Sequence, residues 1–225
     1  MKEIKTIAIH NSNFHADDVF SVAIMQLIYP KVEVIRTRDE EVLKKVDMRI
    51  DVGYAYNPDT LDFDHHQPEG AGVRDNGIPY ASVGVIWKNF WKYLVKTEDE
   101  YSYLDEKLIQ TIDAFDVGYE IYETRKINPY TLPMLIATMN PDWQDKDQDY
   151  DKAFFKAVRL AKQILKIELK KAKGKTKSIK ILQSAVKKNG HGNILVLNTL
   201  VPWKNFLSKE AKIIYVVYQI GRAHV

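Results

Sequence analysis

The sequence predicts an α/β fold: a doubly wound, mostly parallel sheet, followed by a smaller α+β unit. Three observations predict it. Short apolar runs alternate with amphipathic helical stretches from Ile4 to Phe115. The stretches between the runs are long enough for crossover connections, which parallel strands require. The runs also end on His10, Asp51 and Asp64, as strands do when their carboxyl ends open onto a ligand crevice.

The elements follow in order. Ile4 to Ile9 reads as a buried first strand ending on His10. Asn11-Ser12-Asn13 is a turn. From Asp17 the apolar residues Val19, Phe20, Val22, Ala23, Met25, Leu27 and Ile28 take helical spacing until Pro30 stops them. Val32–Ile35 is a second strand, 39–46 a short charged helix, 48–52 a third strand carrying Asp51, and 60–64 a fourth. A Gly-rich polar loop spans Pro68 to Pro79. Helices are expected over 80–95, where an aromatic stripe reads as core, and over 103–115, ending at Asp116-Val117-Gly118. Asn128-Pro129-Tyr130 is a loop, 131–139 a short helix, and Asn140-Pro141-Asp142-Trp143 opens a polar break.

A long helix is expected over 151–173, ended by Gly174, and then strands over 179–186, 194–197 and 213–217. The expected organisation is a catalytic domain over 1–148, a connecting helix over 149–174, and an incomplete C-terminal substrate-binding domain over 175–219. The tail Ile220-Gly221-Arg222-Ala223-His224-Val225 matches one reading frame of a common sequencing adapter, so it is expected to be foreign and His224 is set aside.

Composition narrows the chemistry. There is no cysteine, so any metal must be held by His, Asp or Glu. No apolar run is long enough to span a membrane and no signal peptide is seen, so a cytoplasmic protein is expected. The net charge of +3 conceals an asymmetry, because 13 Lys/Arg against the single acid Glu168 lie between Lys152 and Lys188. Such a run is commonly a solvated helix face, but beside an acidic half it also suits a polyanion. Trp143 and Trp203 read as core residues, with base stacking as the alternative.

The six histidines are unevenly spread: His10, His15, His65 and His66 all fall in the first third, in segments that also carry aspartates. Each candidate has an ordinary reading. His10 suits a hydrogen-bonded core position, Asp17 and Asp18 suit a helix first turn, and Asp113 and Asp116 suit a helix surface. The joint pattern points elsewhere. Residues distant in sequence reach one sheet edge, and several carboxylates gathered there repel unless cations hold them. Imidazole with carboxylate suits Mn²⁺, Zn²⁺, Fe²⁺ or Co²⁺.

The order His10…His15-Ala16-Asp17, Asp51-Val52-Gly53, Asp64-His65-His66-Gln67 and Ile112-Asp113-Ala114-Phe115-Asp116 resembles the DHH phosphoesterase superfamily. More closely it resembles the melanocyte proliferating gene 1 family of metal-dependent hydrolases and exonucleases. Arg74 to Gly84, Asn140 to Trp143, and Pro202-Trp203-Lys204 are also like stretches of that family, so the resemblance runs from about Lys5 to Tyr218. It implies a dinuclear, usually manganese, phosphoesterase core with a C-terminal substrate domain, and 3′→5′ exonuclease activity on RNA. By position, His10 and His15 would bind one metal. Asp17, His65 and either Asp113 or Asp116 would bind the other, and Asp51 would bridge. His66 would face the phosphate, and Asp64 would orient its neighbours. His15 departs from many superfamily members, which carry aspartate there.

The residues expected to carry the chemistry are therefore Asp51, Asp64 and His66, with His66, Gln67 and Arg74 on the substrate side. Arg74 is a candidate phosphate contact or a surface arginine. The expected partner is single-stranded RNA as substrate. A small substrate (pyrophosphate, a short oligonucleotide or a cyclic dinucleotide) and a non-catalytic nucleic-acid-binding role are the alternatives. The sequence does not set the oligomeric state, a dimer included.

Overall fold

Ile7, Ala8 and Ile9 are fully buried at the heart of a five-stranded sheet. The computed structural model describes residues 3–120, 123, 126, 129–191, 193–207 and 213–218. The chain divides into two compact units, Met1–Leu169 and Lys170–Val225.

In the first unit the elements are β1 (Thr6–Ile9), α1 (Ala16–Ile28), β2 (Glu33–Arg36), α2 (Glu40–Leu43), β3 (Met48–Ile50), β4 (Tyr56–Asn57) and β5 (Asp62–Phe63). The sheet order is β2-β1-β3-β5-β4. The first four strands run parallel, and β4 pairs antiparallel with β5 at the edge. The sequence reading missed β4, whose two residues are too short for any periodicity to show. Because β1 leads to β2 on one side and the chain then returns to β3 on the other, the carboxyl ends of β1 and β3 flank a topological switch point. Strand alternation sends Ala8 to a cluster with Leu43, Val46 and Val52, while Ile7 and Ile9 turn the other way, so both faces are covered.

Three further helical segments build the wall around the site. α3 (Ser82–Phe90) continues as a short 3₁₀ turn to Tyr93. α4 (Glu98–Leu104) starts earlier than the sequence suggested because Thr97 caps it, its side chain accepting from the Glu100 N–H. It runs through a widened turn, Asp105–Ile109, into α5 (Gln110–Asp116). That turn adds a residue to the helical repeat and brings Asp105 and Asp113 round towards the same partner. α6 (Leu132–Ala137) is capped by Thr131. Pro129 and Tyr130 are loop as expected, while Asn128 lies outside the described residues.

The expectation for the basic segment needs correction. Gly174 does not end the helix, and 179–186 is not a strand: α7 runs from Tyr150 to Asn189. Its buried positions Leu165, Leu169, Ala172, Thr176 and Leu182 keep helical spacing, and this outweighs one glycine that faces open space. In the second unit β6 (Gly190–His191), β7 (Ile194–Leu197), α8 (Lys204–Leu207) and β8 (Tyr215–Tyr218) follow. Leu182, Leu195, Leu197 and Leu207 form its core, with Trp203 packed against it. Trp143 is the opposite case: expected in a core, it is 82% exposed in the polar break. The 220–225 tail lies outside the described residues. Among the described residues no helix is long and apolar enough to cross a membrane.

Candidate metal centre

β1 delivers His10 to the switch point. Its Nδ1 lies 3.0 Å from the Asn11 carbonyl, which turns Nε2 inward to within 3.1 Å of Asp18 Oδ2 and 3.2 Å of Asp51 Oδ2. The following loop is held from outside. The Phe14 N–H donates to Asn140 Oδ1 at 2.9 Å, and Asn140 Nδ2 donates back to the Phe14 carbonyl at 2.8 Å.

The first turn of α1 then supplies two carboxylates with no solvent exposure, Asp17 and Asp18. Asp17 accepts from the Ser82 and Val83 N–H groups, at 3.1 and 2.6 Å, so the start of α3 fixes it. Asp18 accepts from the N–H groups of His15, at 2.9 Å, and Val19, at 2.7 Å, through Oδ1, leaving Oδ2 to face His10.

Asp51 sits just past β3 in the left-handed region, φ +54°. It is the hub. Its Oδ2 faces His10, while Oδ1 lies 3.4 Å from both His65 Nε2 and His66 Nδ1 and 3.3 Å from the Ser82 hydroxyl. Adjacent histidines on a continuing strand would point apart, but β5 ends at Phe63 and the two rings stand 4.3 Å apart. Asp64 arranges this, accepting from the N–H groups of Tyr54, His65 and His66 and from His66 Nδ1 at 2.8 Å. Gln67 braces the same turn by donating to the carbonyls of Asp64 and Gly70. His65 Nε2 reaches Asp116 Oδ2 at 3.1 Å.

Three sets of donors result: His10, Asp18 and Asp51; Asp17, His65 and Asp116; Asp51, His65 and His66. Within each, one donor atom per residue lies within 4.8 Å of the others. The charge balance fits a divalent cation. Burial works against a charged His10, yet the carboxylates of Asp18 and Asp51 beside Nε2 outweigh it and lift the ring to about 10. His65 is likewise lifted, to about 11, chiefly by Asp116 and Asp51 against burial. Asp17 is pushed well up by burial, then by Asp116 and Asp51. Asp51 is held well below the ordinary range, because His10 and His65 overcome its burial. Protons on histidine thus offset carboxylates whose ion-pair partners, among the described residues, are histidines. Asp18 Oδ2 and His65 Nε2 are buried and make no aligned hydrogen bond, as expected of atoms shaped to face an ion.

Other expected residues stand apart from these sets. His15 lies at the rim, its side chain 61% exposed, with Nδ1 3.9 Å from Asp116 Oδ1. Asp113 is fully buried against Arg74 Nη2 at 2.6 Å and accepts the Gly84 N–H at 2.9 Å. Arg74 also donates to both oxygens of Asp105, at 3.1 and 3.0 Å, and lies 4.1 Å over the Tyr80 ring. It is neither a surface arginine nor part of the cavity over the histidines. That cavity, of about 830 Å³, is lined by His10, Asp51 and His66 together with Arg38, Lys44 and Tyr54. Asp18 and Ser82 escaped the sequence reading as site residues. The doubled acid at positions 17 and 18 was the available signal for the first, and nothing marked the second.

The fold and donor set define an α/β protein with an imidazole–carboxylate cation site at its switch point. The chain belongs to the MYG1 exonuclease family, described as an uncharacterised protein family (UPF0160), whose model matches residues 6–224. It is 30% identical to a MYG1 protein of Dictyostelium discoideum over 90% of this chain and 69% of that one. It is 31% identical to the MYG1 exonucleases of Mus musculus and Homo sapiens over 70% of this chain. The chain spans about half the length of these mammalian relatives, 47% and 48%. No solved structure matches it.

Proposed function

We propose that this chain carries the catalytic centre of a phosphodiesterase that uses two divalent ions, manganese by preference, to release nucleotides from the 3′ end of single-stranded RNA. The observation that carries the reading is Asp51: one buried carboxylate, at the switch point, shared by two donor sets. Relatives named exonucleases support the nuclease class, and the lysines between 152 and 188 support a polyanionic substrate.

His10, Asp18 and Asp51, with His15 at the rim, would hold one ion, and Asp17, His65 and Asp116 the other, with Asp51 Oδ1 3.4 Å from His65 Nε2. When bound, such ions polarise the phosphate and lower the pKa of an attacking water. The chain does the rest. Asp17 and Asp18 are held by backbone N–H groups, so the donors are preorganised. Asp64 orients His66 through Nδ1, and that bond raises the ring's pKa despite partial burial. His66, which lines the cavity with Nδ1 held by Asp64, is thereby suited to hand a proton from Nε2 to the leaving oxygen.

The test is a panel of single-stranded RNA, DNA, pyrophosphate and a cyclic dinucleotide with Mn²⁺, Mg²⁺ or Zn²⁺. Mn²⁺-dependent release of mononucleotides from the 3′ end of RNA is the expected result. Turnover of pyrophosphate or the cyclic dinucleotide alone would reassign the substrate. Binding of RNA without turnover under every metal would remove the catalytic assignment.

A further inference from the structure

The cavity over the metal centre is larger than a phosphate needs. At about 830 Å³ it lies in the range of sites that enclose a whole small molecule. Its lining changes character from place to place. His10, Asp51 and His66 belong to the metal centre, Arg38 and Lys44 add positive charge, and Tyr54 adds an aromatic ring.

Tyr54 has no packing reason to be there. It is 76% exposed, and its backbone stands at φ +55°, a region that a tyrosine enters only under constraint. The constraint is visible: the Tyr54 N–H donates to Asp64 Oδ2 at 2.7 Å. The carboxylate that orients His66 therefore also sets this tyrosine, and the two rings stand 6.5 Å apart at 75°. Arg38 is anchored nearby on the loop after His10. Its Nη1 donates to the Asn11 carbonyl at 2.6 Å and to Asn11 Oδ1 at 2.8 Å, which engages only part of its donor fork.

We infer that Tyr54 is a nucleobase subsite: the base of the nucleotide whose phosphate reaches the metal centre stacks on its ring, while Arg38 contacts the phosphate. This rests on the phosphodiesterase reading and deepens it. Stacking on an aromatic ring tolerates any base, since each has a π-face, so the subsite selects nucleotides without selecting sequence.

Calorimetric titration of the full chain with Mn²⁺ separates the parts, using AMP, UMP and ribose 5-phosphate as probes. AMP and UMP are expected to bind about tenfold more tightly than ribose 5-phosphate. Tyr54→Gly should erase that preference, leave ribose 5-phosphate binding unchanged and leave the melting temperature unchanged or higher, because glycine suits the backbone there. Tyr54→Trp should keep the preference, and Arg38→Ala should weaken all three probes equally. A wild-type chain that binds no nucleotide, or that does not distinguish AMP from ribose 5-phosphate, overturns the inference. So does a Tyr54→Gly chain that still makes the distinction. Failure of the RNA cleavage panel with this binding pattern intact would remove the catalytic reading and leave the subsite standing.

Discussion

Two buried charge clusters occupy the first unit, and they are built on opposite principles. Around Arg74, one guanidinium meets two carboxylates: Asp105 takes a two-pronged bond and Asp113 a close ion pair. Gly84 completes it, because a Cβ there would stand 2.0 Å from Asp113 Oδ2. The cluster is tied together by that one guanidinium, and buried ion pairs of this kind can specify structure. At the switch point Asp17, Asp18, Asp51 and Asp116 gather, and among the described residues their ion-pair partners are histidines. Only raised histidines offset them. The difference lies in the partner: a guanidinium holds the carboxylates of one cluster, while imidazoles, which can also ligate a metal, face those of the other, so burial of charge does not by itself mark a binding site.

This contrast can be broken or sharpened by mutation. The largest effect is expected from Asp51→Asn, with a loss of Mn²⁺ affinity of more than about 100-fold and no detectable hydrolysis, together with a lower metal-free melting temperature, because His10 and His65 lose a charged partner. Mn²⁺ titration by calorimetry checks it, and retained affinity would remove Asp51 as the hub. Next, Arg74→Ala should destabilise by about 3–5 kcal/mol in urea denaturation, because two carboxylates lose their partner. Gly84→Ala should destabilise in the same direction through its clash with Asp113. If Arg74→Ala instead abolished metal binding in a fully stable fold, the two clusters would be one.

Asp116→Asn and Asp113→Asn form a matched pair. The first should lower Mn²⁺ affinity on the order of tenfold to 100-fold with little change in stability. The second should destabilise by about 1–3 kcal/mol with affinity kept. Exchanged outcomes would reassign the ligand.

The pH profile of stability is a gentler probe. His10 and His65 titrate near 6.5 when unfolded and at about 10 and about 11 in the fold. Their contribution is therefore complete below 6.5, declines as pH climbs, and is gone above the folded values. Asp51, depressed in the fold, adds stability that is lost as pH falls below its unfolded value of 3.8. Saturating Mn²⁺ should flatten the alkaline slope, since the cation replaces the protons. An identical slope with and without metal would argue against a shared site. The smallest effect is expected from Asp18→Asn. Burial raises the pKa of this carboxyl, but its charge also supports the His10 proton, so the substitution should change the metal-free stability by less than about 1 kcal/mol while weakening metal binding.

Much of the candidate site was legible because strand ends are legible. His10, Asp51 and Asp64-His65-His66 each follow an apolar run, and a parallel sheet carries such ends to one edge. Asp113 and Asp116 could not be separated, because residues three apart share a helix face. Only the packing of α5 against α3 puts Asp113 on Gly84 and leaves Asp116 to reach His65. The surroundings of Arg74 were not legible, because a charged residue in a Gly-rich loop gives no sign that two aspartates about 30 and 40 positions later enclose it. Gly174 misled because a stop signal counts for less than a continuing apolar stripe.

The sequence by itself determined the α/β class, the absence of thiolate ligands and the strand-end residues, since all of these follow from local periodicity and composition. Tertiary structure decided which acids share Asp51's company, which are tied up by Arg74, and where Tyr54 stands. Those are distances between segments far apart in the chain, and they exist only once the helices have docked on the sheet.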